Sequence, residues 1–280
     1  MKIKIIRGDM ERIRLGKSDV YVSPLGLGTW AWGDTSVWDY GESYDDEDLM
    51  QSYNASLESG INFIDTAEAY AEGKSESIIG RFVSETSTRK QVIIATKFVP
   101  SRLRILRSQL VAALRRSLRR LGLSHVDLYQ IHWPGDFIPI ETWMHALADA
   151  VEAGLTRAVG VSNFSVEETK RAHAILAARG VPLASNQIPY NLLHSMPQRN
   201  GMADLCRELD VTIIAHSPLC QGMLGGKFTP THPPPGLRGR KYDHDFLIKT
   251  KPLLGLMKEI GHAHDGKSPA QVALNWTMCK

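Results

Sequence analysis

From residue 25 onward the chain alternates short, almost wholly apolar runs with longer segments whose apolar positions recur at helical spacing. The apolar runs are "LGLGTW" (25–30), "NFID" (62–65), "VIIATK" (92–97), "VDLYQIH" (126–132), "RAVGVS" (157–162), "LASNQ" (183–187) and "TIIAHS" (212–217). Between and after them, helices are predicted near 46–59, 75–86, 105–121, 141–153, 165–179, 200–209, 246–263 and 268–279. Strands that are apolar throughout, rather than alternating, are those covered on both faces, as in parallel sheets. Regular β-then-α order without a long linker predicts one α/β domain over residues 1–280.

An open doubly wound sheet and a closed (β/α)8 TIM barrel both fit that order. "GLGTWA" (26–31) formally matches the dinucleotide-binding pattern, whose glycines must open a helix directly after the strand. The following "WGDTSVWDYGES" is a polar, tryptophan-containing loop, so the context favours the barrel. Ahead of the first strand, residues 11–23 read as a β-hairpin turning at Gly16–Asp19 and capping the barrel bottom. Residues 227–245, with four prolines, read as a long loop. Ser268 and Pro269 mark a helix start near the end of the chain. Seven strands are predicted where a closed barrel has eight, so the last β/α unit is expected to be absent and the 280 residues to be part of a longer protein.

Composition narrows the class. An apolar fraction of 43% with 22% charged residues suits a globular protein, and a net charge of +3 gives no reason to expect nucleic acid or a membrane as partner. The arginines of 102–120 lie mostly opposite an apolar stripe of Leu103, Leu106, Leu110, Ala113, Leu114, Leu118 and Leu121, as on a solvated helix face. Cys206, Cys220 and Cys279 are too few and too scattered for a disulfide scaffold or a cysteine-rich zinc site, so no metal is expected and a reducing compartment fits. No run reaches the ~18 apolar residues of a membrane span. The start "MKIKIIRGDMER" lacks a secretory pattern, so a cytoplasmic location is expected, or an organelle stroma if the N-terminus is cropped.

In a barrel the C-terminal strand ends share one mouth, where active sites sit. The polar residues ending the apolar runs are Asp65, Lys97, His132, Ser162 with Asn163, Gln187, and His216 with Ser217. Singly, Asp65 reads equally as a cap, Lys97 as a surface lysine and His132 as a satisfied core histidine. Together they place ionisable and amide groups at one periodic location.

"NFIDTAEAY", "IATKF", "LYQIHWP", "GVSNFS", "ASNQIPYN" and "SPLCQGMLGGKF" resemble, in order, the motifs of the aldo-keto reductase superfamily, in the bacterial and plant-type branch related to potassium-channel β-subunits. The resemblance runs over about residues 11–280 and implies a (β/α)8 barrel that binds NADP(H) and reduces a small carbonyl substrate. It implies Tyr70 as general acid, Lys97 as the neighbour that lowers the phenol pKa, Asp65 as the counter-ion of Lys97, and His132 as the group orienting the carbonyl oxygen. A free phenol, with a pKa of about 10, donates poorly near neutrality, and a neighbouring ammonium favours the phenolate. Ser162, Asn163 and Gln187 match positions that hold the nicotinamide carboxamide. Ser217, Pro218, Leu219, Gln221, Gly222 and Leu224 match the segment along the pyrophosphate. Gly28, Thr29, Trp30 and Asp65 are further cofactor-side expectations.

Lys227, Arg238 and Arg240 sit where relatives grip the adenosine-side phosphate, and a solvated loop accounts for them equally well. Trp30, Trp32, Trp38 and Trp133 either wall the substrate pocket with Tyr70 and His132 or pack their own loops. His216 stands where relatives carry an aromatic that stacks on the nicotinamide, so weaker cofactor holding is expected. The segment that grips the adenosine 2′-phosphate in relatives follows the eighth strand. The alternative to an NADP(H)-dependent reductase is an NADP(H)-binding regulatory module. A Schiff-base lyase using Lys97 would leave Tyr70, His132 and the amides unexplained. Oligomeric state is open.

Overall fold

The computed structural model describes residues 10–135 and 138–279, and the reading of residues 1–9 lies outside them. A two-stranded antiparallel hairpin comes first, β1 (Ile13–Arg14) with β2 (Tyr21–Val22), turning where the sequence predicts. Seven strands then form one sheet in sequential order: β3 (Gly26–Gly28), β4 (Phe63–Asp65), β5 (Ile93–Phe98), β6 (Val126–Ile131), β7 (Thr156–Ser162), β8 (Leu183–Pro189) and β9 (Thr212–His216). The pairings from β3 through β8 are parallel, with Gly28 opposite Asp65, Asp65 opposite Ala95, Lys97 opposite Gln130 and Ser162 opposite Gln187. Helices follow the strands in turn: α1 (Asp46–Glu58), α2 (Lys74–Glu85), α3 (Arg107–Leu121), α4 (Ile140–Glu152), α5 (Val166–Ala177) and α6 (Met202–Leu209). After β9 come α7 (Gly236–Lys241), α8 (His244–Ala263) and α9 (Pro269–Met278). This is the β/α progression of a TIM-type barrel, with seven barrel strands among the described residues.

Several helix starts have a local cause. Asp45 caps α1 by accepting from the amides of Glu47 and Asp48, and Ser165 and Ser268 close capping boxes with Glu168 and Gln271 at α5 and α9. The predicted start of α3 is corrected: the helix opens at Arg107, leaving Leu103 86% exposed and Leu106 58% exposed outside it. No hydroxyl or carboxylate precedes α3. The side chain of Gln109 instead accepts from the amides of Ile105 and Leu106, which fixes the entry there. The segment 227–245 is likewise not loop throughout, because α7 forms after Pro235. Its six residues include two glycines and bury nothing, so no apolar period marks it in the sequence.

The chain divides into two compact units, one running through Gln187 with Asp204–Ile213, the other comprising Ile188–Ala203 and the residues from Ile214 onward. In the first, Ile94, Phe98, Leu110, Leu114, Trp143 and Leu147 are buried between sheet and helices, with the Phe98 and Trp143 rings 4.9 Å apart. The hairpin turn rests at the start of β8 and β9, where Gly16 donates its amide to Thr212 Oγ1 at 2.8 Å. Asp127, buried near the start of β6, pairs with Arg89 and Arg157 and accepts from the amide of Ile94. In the second unit, Cys220, Met223, Leu224, Phe228, Tyr242, Leu247, Met257 and Ala273 form a separate apolar cluster.

Candidate active site

Strand parity builds the site. Along β5 the side chains alternate, so Thr96 points to α2 and bonds Glu76 while its neighbour Lys97 points the other way and bonds Asp65. Lys97 has 0% exposure, and its ammonium is ion-paired with Asp65 Oδ1, donates to the carbonyl of Thr66 at 2.9 Å and reaches the Tyr70 hydroxyl at 3.4 Å. Its Nζ also lies 5.0 Å from the Tyr70 ring centroid. The Tyr70 ring meets His132 edge-on at 5.7 Å, and the rings of His132 and Trp133 are 4.7 Å apart. Trp30 lies 6.5 Å from Tyr70 on another side and packs against Trp38. The four residues expected to act together, Asp65, Tyr70, Lys97 and His132, are therefore neighbours, with Trp30 and Trp133 flanking them.

The electrostatics modify one expectation. Burial pushes the Tyr70 phenol up; the Lys97 ammonium pulls it down, and the Asp65 carboxylate pushes it up again. The net result lies above the ordinary tyrosine value, so Lys97 acts in the expected direction without prevailing. For Lys97, burial works most strongly against the ammonium, but the Asp65 carboxylate and the Tyr70 phenol together outweigh it and hold the lysine above its ordinary value. An unpaired ammonium would lose its proton in such a place; this one keeps it.

The amide group is partly committed within the site. Gln187 Nε2 donates to Asp65 Oδ2 at 2.9 Å, and Gln130 Nε2 approaches the same oxygen at 3.4 Å. Ser162 donates to the carbonyl of Gln187, and Asn163, with φ 61°, donates to Ser162 Oγ and to the carbonyl of His132. A nicotinamide carboxamide needs both donors and acceptors. Gln187 commits its amide nitrogen to Asp65, and an amide side chain carries an acceptor oxygen besides.

Thr29 is fully buried, with its hydroxyl and amide both bonded to the carbonyl of Asp65, so its side chain secures the strand end. Gly28 lies beside Asp65 in the sheet register. Trp32 is placed elsewhere: it is 3% exposed and packs on Phe82.

Gln130 escaped notice in the sequence because a glutamine inside "LYQIH" looks like any strand residue. The available signal was parity, since it lies two residues before His132 and thus on the same face. Gly160 on β7 makes room for it, because a Cβ there would overlap Ser185 Oγ and stand 3.2 Å from Gln130 Cγ.

In the second unit, His216 ends β9 with Nδ1 3.3 Å from Ser217 Oγ. The backbone then takes positive φ at Ser217, Cys220, Gln221 and Gly222. The amides of Cys220, Gly222 and Leu224 close turns onto the carbonyls of Ser217 and Leu219. The Leu219 side chain packs on the apolar cluster and Leu224 belongs to it, while Pro218 sits between two left-handed turns. Lys227 and Arg238 both lie 5.8 Å from the Phe228 ring, and Arg240 is exposed on α7. Among the described residues no helix is long and apolar enough to cross a membrane, and no cluster of potential metal ligands occurs.

Residues 24–280 match the model of the Aldo/keto reductase family. The chain is 37% identical to the chloroplastic pyridoxal reductase of Arabidopsis thaliana, over 96% of this chain and 76% of that one. It is 33% identical to the aldo-keto reductase YhdN of Bacillus subtilis, over 96% and 81%. Among solved structures, a glycerol dehydrogenase of Gluconobacter oxydans superposes with a TM-score of 0.81 at 30% identity, covering 96% of this chain and 83% of that one. The chain belongs to the aldo/keto reductase family. It is accordingly an oxidoreductase of carbonyl compounds, in a family that typically works with nicotinamide cofactors.

Proposed function

We propose that this protein reduces the carbonyl group of an aldehyde or ketone at the expense of NADPH, with Tyr70 as the general acid. The observation that carries the reading is the Tyr70 hydroxyl within 3.4 Å of a fully buried, charge-paired Lys97, with the His132 ring against the same phenol. When bound, the nicotinamide supplies a hydride for the carbonyl carbon. Tyr70 gives its proton to the carbonyl oxygen, and Lys97 stabilises the phenolate left behind. Asp65 keeps Lys97 charged, and His132 orients the oxygen. Ser162, Asn163 and Gln187 would hold the carboxamide, and Ser217–Leu224 with Lys227, Arg238 and Arg240 the phosphates, as the family resemblance assigns them. The preference for NADPH rests on that resemblance as well.

Trp30 and Trp133, with Trp133 40% exposed, offer flat apolar faces beside the reacting groups, which suits an aldehyde with an aromatic or apolar body. The name of the Arabidopsis relative points to an aromatic aldehyde in that protein. The test is NADPH consumption with 4-nitrobenzaldehyde beside a Tyr70→Phe control. Turnover that the control lacks supports the reading; equal turnover by both proteins removes Tyr70 from the mechanism.

A further inference from the structure

Tyr70 opens a tight turn, Tyr70–Gly73, in which Ala71 (φ 46°), Glu72 (φ 55°) and Gly73 (φ 89°) are successively left-handed. Side chains disfavour that region, and a run of such residues persists only where the surroundings determine it. The surroundings here are the first turn of α2 and what it grips. Ser75 Oγ is buried, donates to the carbonyl of Thr29 at 3.0 Å, and lies 2.8 Å and 2.9 Å from the hydroxyls of Thr29 and Thr66. Glu76 has 0% exposure, accepts from Thr96 Oγ1 at 2.6 Å, and receives both Nε and Nη2 of Arg120 at 2.6 Å. Thr66 adjoins Asp65 and Thr96 adjoins Lys97, so both clamps end beside residues of the site.

Arg120 differs from the other arginines of α3, read from the sequence as a solvated face. Its guanidinium also bonds Ser117 Oγ, and the Gly73 backbone lies directly against it. A Cβ at Gly73 would stand 2.5 Å from Arg120 Nε and 3.0 Å from Cζ. With three of its contacts fixed, the planar group is a rigid floor under the turn.

We propose that Arg120, locked by Glu76, is a positioning residue that holds the Tyr70 turn against Lys97. The inference rests on Tyr70 being the acid, and the experiment separates the two. Removing Arg120 alone would leave buried Glu76 with the Thr96 hydroxyl but without a counter-charge, which threatens folding. The double variant Arg120→Met/Glu76→Gln keeps the bulk and removes both charges together, so its effect on Tyr70 reports position rather than a changed field. Arg120→Lys keeps the charge without the planar fork, and Arg119→Met on the exposed face is the control.

Two readouts apply to the 280-residue chain. The first is the ultraviolet phenolate titration of Tyr70, isolated by subtracting the Tyr70→Phe protein. The groups facing this phenol are Lys97 from β5, Asp65 from β4 and His132 after β6. Movement of the phenol relative to Lys97 and Asp65 shifts the titration in the double variant, less so in Arg120→Lys, and not in Arg119→Met. The second readout is kinetic: kcat falls by about tenfold to a hundredfold, as expected for a misplaced group. KM and the NADPH dissociation constant stay within about twofold, since only the acid has moved. A Tyr70 titration unchanged in both the double variant and Arg120→Lys overturns the inference whether or not the protein turns over. If the double variant does not fold, Arg120→Lys decides alone. A wild-type protein without Tyr70-dependent turnover defeats the proposed function, while the titration still decides the role of Arg120.

Discussion

Gln187 Nε2 donates to Asp65 Oδ2 at 2.9 Å while Lys97 holds Oδ1, so the two oxygens of one carboxylate serve an amide and an ammonium from different strands. Asp65 is thereby fixed in orientation, and Lys97 depends on it for the only carboxylate it contacts among the described residues. Asp65→Asn would leave a fully buried ammonium without its counter-charge. Breaking such a pair typically costs about 3–5 kcal/mol, and with Asp65 partly exposed the lower end is expected. Denaturant unfolding of the variant measures this. With burial opposed by the Tyr70 phenol alone, the Lys97 pKa is expected to fall, and reductase turnover with it. A variant as stable as the wild type would show that Lys97 finds its compensation elsewhere.

The shift at Tyr70 sets a pH dependence with a definite sign. Its folded pKa lies above its ordinary value of about 10, so the phenol keeps its proton throughout the neutral range. Carbonyl reduction is therefore expected to show no loss attributable to Tyr70 until the alkaline side, whereas alcohol oxidation, which needs the phenolate, rises with pH. The same shift acts on stability. Tyr70 and Lys97 both bind their protons more tightly folded than unfolded, so their contribution is complete below pH about 10 and is lost as pH rises through the folded values. Unfolding midpoints measured across that limb should decline in the wild type and decline less in Tyr70→Phe. A rate of reduction that falls between about pH 7 and 8 would place the acid on another group.

His216 gives a test confined to cofactor holding. Its ring ends β9 beside Ser217, at the position where the family resemblance expects a larger aromatic. A phenol ring offers more stacking area. His216→Tyr is expected to tighten NADPH binding. An unchanged dissociation constant, read by quenching of protein fluorescence, would show that this ring does not touch the nicotinamide.

How far the molecule was legible in its sequence depended on whether each feature had a period. The strands and helices did, and their ends fall within two residues of the expected ones. Asp65, Lys97 and His132 were marked by their common place at strand ends, and Tyr70 by the resemblance of "NFIDTAEAY" to the family motif. What remained hidden had no such mark. Helix α7 is too short and glycine-rich to show an apolar stripe, and Arg120 is one arginine among several until its partner Glu76 is seen to be buried. The pKa of Tyr70 depends on a balance between burial and two charges, and a sequence gives the charges without the burial.

Gly160 tests whether the site depends on the packing beneath it. This residue lies on β7 opposite Gln130, and a Cβ there would overlap Ser185 Oγ and crowd Gln130 Cγ at 3.2 Å. Ser185 Oγ approaches Gln130 Oε1 at 3.4 Å, and Gln130 Nε2 approaches Asp65 Oδ2, so a push at Gly160 passes through one glutamine to the carboxylate that pairs with Lys97. Overpacking a tight core position commonly costs about 1–3 kcal/mol. Gly160→Ala should show a loss of that size in denaturant unfolding and, beyond it, reduced turnover in the fraction that remains folded. Gln130→Ala in the same background relieves the contact with Gln130 Cγ, leaves the overlap with Ser185 Oγ, and removes the contact to Asp65. Stability should then recover only in part, because the Ser185 contacts remain, while turnover does not recover. Recovery of both would show that Gln130 only fills space and that Gln187 and Lys97 suffice to hold Asp65.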